Sequence, residues 1–314
     1  MGPSYVAGKH SRPHDEFSGA GKVSLLNRAV MMTGLNRVRL AAAGCALLVS
    51  AGAASAADDV SRWDGDARSA VRLIAGSPPK AGAGATLRAG VEIRLKPGWH
   101  TYWRYPGDAG VPPQFDFEGS HNLKSVEVLW PAPQSLPEAG GISIGYARDV
   151  VLPLAVVPQD RNKPVVLRLK LDYAVCEKLC VPAQGRAELA LPKAATTQDA
   201  ALAGAEARVP KKVKLGEGGT LAIRALRRED GAARPRVVVD LVAPAGAAVE
   251  LFAEGPTPQW ALPLPSALDG APAGLRRFAF ELDGAPPGAS YQGAVVTLTA
   301  VAEGSAIEVA SRLD

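Results

Sequence analysis

Sulfur is nearly absent from this sequence: three cysteines and three methionines are all that 314 residues contain. Met1, Met31, Met32 and Cys45 all precede Ala56, where an export signal would be cut away, so an exported chain keeps only Cys176 and Cys180. A methionine-rich copper site is thereby excluded. Histidine is equally sparse, and of four only His100 and His121 follow Ala56. A closed tetrahedral metal centre wants four ligands. It would have to gather both histidines and both cysteines, and neither histidine stands at a ligand spacing from the cysteine pair. No metal and no cofactor are expected. Charge of one sign is missing too, since 35 basic residues face 31 acidic ones and interleave with them, which argues against a nucleic-acid partner. Beyond the N-terminal region no stretch reaches the roughly 18 to 20 apolar residues that cross a bilayer. The mature chain is therefore expected to have no transmembrane segment and to carry no electrons across a membrane by itself.

What is present begins with an export signal. Asn36-Arg37-Val38-Arg39 leads into the apolar run from Leu40 to Ala54, and Ala54-Ser55-Ala56 is an A-x-A cleavage motif. The expected cut after Ala56 makes 1–56 a signal region and places the protein in the periplasm. Residues 1–30 carry no periodic apolar pattern, so translation is expected to start at Met31 or Met32. A lipoprotein signal through Cys45 does not fit, because only Leu40 to Gly44 would separate it from Arg39.

From Ala70 onward, short runs of alternating polarity are broken by Pro and Gly: 86–95, 124–130, 149–157, 165–175 and 187–192. Period-two runs between turn residues read as antiparallel strands. In 165–175, Leu167, Leu169, Leu171 and Tyr173 should face a core while Arg168, Lys170 and Asp172 face water. The Ala-rich stretch 196–210 differs: Thr196 or Thr197 can cap a helix that Pro210 stops. Strand patterns resume at 221–230, 234–244, 248–255, 275–284 and 294–313, the last splitting into a hairpin at Glu303-Gly304-Ser305. The expected fold is all-β, two immunoglobulin-like sandwiches joined by a short helical linker. The division is 57–195, linker 196–210, and 211–314, and chemistry belongs to the first part because the second lacks Cys and His.

Cys176 and Cys180 lie at the end of the 165–175 strand, before Val181-Pro182, where the chain turns. In an oxidising compartment they can pair. Closing so small a ring removes chain entropy worth about 2 kcal/mol, a modest return for a chain this long, and small turn-constrained disulfides tend to be reducible. That favours a redox role over a structural bond, with the structural bond still open. Lys178 between the cysteines favours a thiolate, whereas Glu177 opposes one.

The hairpin YAVCEKLCVPAQGRAELALP (173–192) resembles the active-site hairpin of the N-terminal periplasmic domain of the DsbD and ScsB thiol:disulfide reductases. LKPGWHTYWRYPGDAGVPPQFDFEG (95–119) is similar to a segment of the ScsB-like branch, with Tyr105 at a position where that branch has Asn. LWPAPQ (129–134) and IGYARDVVLPL (144–154) extend the resemblance over about 70–192. It implies an immunoglobulin-like domain whose cysteines pass electrons to thioredoxin-like periplasmic proteins without a cofactor. Cys180 would form the mixed disulfide and Cys176 resolve it. It also implies a cap loop over the disulfide within Gln134 to Tyr146, with Ile144 and Tyr146 as candidates for the shielding residue, while core packing accounts for either equally well. The aromatic group Trp99, Tyr102, Trp103 and Tyr105 reads as core packing, and His100 and Arg104 as surface residues. The chain lacks the transmembrane and thioredoxin-like parts of those reductases, so a separate membrane electron carrier is implied as its donor.

The expected function is thus a periplasmic thiol:disulfide exchange protein relaying reducing equivalents, an oxidoreductase component in cytochrome c maturation or copper-stress defence. The alternative is a non-catalytic envelope binding or scaffold module with a static disulfide.

Overall fold

An alternating run makes a strand with one dry face and one wet face. The computed structural model, which describes residues 58–79, 86–107, 110–138, 140–192, 194–230 and 234–314, shows this in the 165–175 run. Leu167, Leu169, Leu171 and Tyr173 are buried, and the charged residues between them are half-exposed. The export signal, its cleavage motif and the expected start at Met31 or Met32 lie outside the described residues.

The first half holds β1 (Asp64–Gly65), β2 (Ser69–Ala75), β3 (Leu87–Leu95), β4 (His100–Gly107), β5 (Gln114–Asp116), β6 (Leu123–Val128), β7 (Gln134–Glu138), β8 (Gly141–Tyr146), β9 (Val150–Pro158), β10 (Val166–Cys176) and β11 (Cys180–Ala190). They form one sheet in the order β1-β2-β3-β9-β6 and a second in the order β11-β10-β4-β8-β7, with β5 added beside β10. Leu73, Val91 and Leu152 from the first sheet meet Leu167, Leu171 and Ile144 from the second in one core. β11 starts at Cys180, earlier than the alternating pattern suggests, and runs through Pro182. It can do so because it is the edge strand, where a missing N–H leaves no ladder bond unmade.

The second half begins with α1 (Asp199–Glu206), followed by β12 (Lys211–Lys212), β13 (Ala222–Glu229), β14 (Arg236–Val242), β15 (Val249–Glu254), β16 (Ser266–Leu268), β17 (Arg276–Glu281), β18 (Val295–Ala302) and β19 (Ser305–Arg312). These strands make two four-stranded sheets, β12-β19-β18-β15 and β13-β14-β17-β16, around a core of Ile223, Val239, Phe280, Leu298 and Val309. The turn between β18 and β19 falls at Glu303-Gly304, both at positive φ (46° and 76°), the geometry of a tight hairpin turn. The expected all-β class of two sandwiches with one short helix is what the structure has. Among the described residues no helix is long and apolar enough to cross a membrane.

The helix is not capped by Thr196 or Thr197. Gln198 holds the cap position without a side-chain bond, because Thr197 instead donates from both its backbone N–H and its hydroxyl to Asp59. Asp199 accepts from the backbone and hydroxyl of Ser77, and Arg88 grips Glu206 through two bonds of 2.8 Å. Leu202 is fully buried in a hollow over Gly76 and Gly90, where an added Cβ would come within 3.0 and 2.9 Å of it. The helix is therefore docked on the first sandwich.

The two sandwiches also touch directly, within one compact unit. Phe252 of β15 is fully buried in the first core, its ring 5.9 Å from that of Trp103. Arg104 of β4 reaches Glu254 at 2.9 and 2.6 Å and Glu308 at 2.5 Å, and the Tyr105 hydroxyl donates to the Leu262 carbonyl at 2.9 Å.

Candidate thiol site

β10 and β11 pair along their whole length, and the last pair in the register is Cys176 opposite Cys180. A disulfide joins them across the exposed turn Glu177-Lys178-Leu179, with Cα atoms 4.1 Å apart. The two sulfurs do not share an environment. Cys176 is 2% exposed, while Cys180 is exposed, so a reagent from solution meets Cys180 first.

The buried sulfur owes its cover to β4. On its other side Cys176 pairs with His100, and Val175 with Thr101, while the Thr101 hydroxyl donates to the Ala174 carbonyl at 2.9 Å. Alternation along a strand then sends His100 and Tyr102 to one face, with their rings edge to face at 5.6 Å. Tyr102, Ala174 and Cys176 form a small buried cluster of their own. The Tyr102 hydroxyl lies 3.1 Å from Cys176 Sγ and 3.0 Å from Cys180 Sγ, bridging the bond. Its pKa is pushed up to about 12, by burial first and then by the charge of Glu138 and a hydrogen bond to it. The phenol stays protonated near neutral pH and can donate to whichever sulfur becomes a thiolate.

Glu138 arrives from the end of β7. One carboxylate oxygen, Oε1, is 2.8 Å from His100 Nε2 and also accepts from the Ser143 hydroxyl. The other, Oε2, is 3.9 Å from Cys180 Sγ. His100 and Glu138 keep only 11% and 13% of their side-chain exposure. His100, Glu138 and Cys176 each offer a donor atom within 4.8 Å of the other two. The site thus combines a buried sulfur, an open sulfur, a phenol hydroxyl within 3.1 Å of both and a carboxylate oxygen 3.9 Å from the open one.

Several sequence expectations place differently. Segment 134–146 is the β7–β8 hairpin, and its alternation turns Ile144 and Tyr146 into the core, 2% and 9% exposed. The Tyr146 hydroxyl donates to the Pro131 carbonyl at 2.8 Å, and burial raises its pKa well above the ordinary value. Neither residue caps the disulfide; the hairpin reaches the sulfurs through Glu138. His100 and Arg104 are not surface residues: one lies at the disulfide, the other ties the sandwiches together. Of the aromatic group, Trp103 is in the core as expected and Trp99 packs against it partly buried, whereas Tyr102 is at the sulfurs and Tyr105 reaches the second sandwich. The register of β4 shifts between Tyr102 and Gly107, a bulge that re-aims side chains and hides the alternation. A signal did exist for the missed pair: His100 and Tyr102 stand two apart. His121 bridges to Val166 at the far end of β10, so the two histidines do not meet.

A disulfide closes the end of an edge hairpin on a β-sandwich, with one sulfur open and one covered, an arrangement chemically suited to thiol:disulfide exchange. Residues 71–192 match the N-terminal domain family of the thiol:disulfide interchange protein DsbD. Among solved structures, the N-terminal periplasmic domain of ScsB from Proteus mirabilis is similar, with a TM-score of 0.64 and 20% identity, over 82% of this chain and 98% of that one. So large a share takes in both sandwiches, and the likeness is one of fold. No curated protein matches the chain.

Proposed function

We propose that this chain is an exported thiol:disulfide exchange protein that relays reducing equivalents from a separate membrane electron carrier to thioredoxin-like proteins of the periplasm. The observation that carries this reading is the asymmetry of the pair: Cys180 is open to a partner, while Cys176 is 2% exposed beneath Tyr102. In the reduced chain the Cys180 thiolate attacks one sulfur of the partner's disulfide and expels the other as a thiolate. Cys176 then attacks Cys180, re-forms the internal bond and releases the second partner thiolate. Two electrons pass to the partner and two protons follow. The Tyr102 hydroxyl steadies the charge on either sulfur, and Glu138 takes the Cys180 proton. An exposed apolar side chain stands next to the open sulfur: Leu179 in the turn is 80% exposed. It offers dry contact for a partner's surface.

The test is a trap. A Cys176→Ser chain keeps the attacking sulfur and loses its resolver, so it should accumulate reductant-sensitive complexes in the envelope, whereas Cys180→Ser should give few. Equal trapping by both variants overturns the assignment of roles. Trapping by neither, together with a reduction potential below about −300 mV, favours a static bond in a binding or scaffold module.

A further inference from the structure

Reduction would leave four metal-donor groups at one place. His100 Nε2, a Glu138 oxygen and Cys176 Sγ already lie within 4.8 Å of one another, and Cys180 Sγ is 3.9 Å from Glu138 Oε2. A tetrahedral zinc ion with ligands at about 2.0–2.3 Å holds its donors roughly 3.5 Å apart. The contraction needed is about 1 Å, within reach of side chains at two hairpin ends. In the disulfide each sulfur is spent on the other and neither carries the charge that a metal requires. We infer that the dithiol form of this chain binds one zinc ion through Cys176, Cys180, His100 and Glu138, and that the disulfide form does not.

The donor chemistry selects the ion. Two thiolates, an imidazole and a carboxylate suit a borderline-soft ion that accepts a tetrahedron, whereas calcium and magnesium ask for oxygen alone. Two thiolates beside the Glu138 carboxylate would gather negative charge in a largely buried place, which a divalent cation relieves. The ion would take the place between His100 Nε2 and Glu138 Oε1 that a hydrogen bond now spans at 2.8 Å. Outer support is already built, since the Ser143 hydroxyl orients the carboxylate and the Tyr102 hydroxyl sits 3.1 and 3.0 Å from the sulfurs.

The steps balance. A phosphine reductant passes two electrons to the disulfide and leaves as its oxide, with one water supplying the oxygen and the two protons that make the sulfurs thiols. Zinc binding then displaces both protons to solvent. Re-oxidation by a small disulfide such as oxidised glutathione, which takes the two electrons and leaves as two thiols, re-forms the internal bond, removes both thiolates and expels the ion. The site requires that the bond be reducible, not that any partner reduce it, so a chain that traps nothing can still bind zinc.

The test uses the exported chain, reduced, freed of reductant under nitrogen, and titrated with zinc against a chromophoric chelator. Cobalt(II) serves as a second probe, because a thiolate-to-cobalt charge-transfer band reports cysteine ligation. One equivalent should bind the reduced chain, and the oxidised chain should bind at least about 100-fold more weakly. Glu138→Gln and His100→Gln should each weaken binding about tenfold or more, and Cys176→Ser should abolish the charge-transfer band. Each variant is compared at the far-ultraviolet circular dichroism of the wild type. If His100→Gln does not fold, Glu138→Gln decides the matter. No zinc on the reduced chain overturns the inference, as does equal affinity of the oxidised chain or wild-type affinity of Glu138→Gln.

Discussion

Tyr102 is the residue on which the site turns, because its hydroxyl serves both sulfurs and its ring covers the inner one. Its raised pKa has a consequence for stability. An unfolded tyrosine ionises near pH 10, whereas Tyr102 in the fold holds its proton to about 12. The folded state therefore binds the extra proton in that window, and stability falls with pH there. The contribution is fully present below about pH 10 and is lost as pH rises towards 12. Replacement by Phe should flatten the alkaline limb of the stability curve and remove one late step from the tyrosinate absorbance titration. Burial raises Tyr146 and Tyr173 as well, so the comparison is between the wild type and Tyr102→Phe. Loss of a step near pH 10 instead of a late one would mean that Tyr102 ionises as an ordinary surface phenol and is not the bridging donor described.

At the scale of elements, the site exists because three pieces of backbone are forced close. β10 runs on to Cys176 beyond the point where only one face is buried, and Tyr173, Ala174, Val175 and Cys176 are covered in succession. That cover comes from β4, and β4 is held from its far side by β8, where Gly145 pairs with Tyr102. A Cβ on Gly145 would fall 2.0 Å from the Thr101 carbonyl oxygen, which is backbone and cannot swing aside. Gly145→Ala should therefore cost about 1–3 kcal/mol, read from the denaturant midpoint. It should also displace Tyr102 and make the disulfide easier to reduce with a small thiol. Unchanged stability would mean that β8 can shift away from β4 and does not position the site.

For the whole molecule, the second sandwich braces the sheet that carries the disulfide. Phe252 crosses from one to fill the core of the other, and Arg104, two residues from Tyr102, binds Glu254 and Glu308. Burial alone would lower that guanidinium's pKa, but hydrogen bonds and charge from both carboxylates hold it raised. Phe252→Ala should destabilise by about 3–5 kcal/mol, and hydrogen exchange should quicken at amides of β10 in the first sandwich. A rise confined to residues 211–314 would show that the two cores are energetically separate.

Much of this protein was legible from local pattern. Polarity with a period of two needs no knowledge of partners, so the all-β class, the wet and dry faces of β10 and the turn at Glu303-Gly304 follow from the chain alone. The cysteine pair was equally plain, because a turn of three residues brings its own ends together whatever surrounds them. The rest depended on register. His100 and Glu138 are separated by 38 residues and Tyr102 and Cys180 by 78, and no spacing relates them until β4 lies between β8 and β10. Ile144 and Tyr146 read as lid residues because an apolar side chain beside glycines can either cover a site or fill a core. Only the pairing of β7 with β8 decided that they fill it and that Glu138 faces the sulfurs.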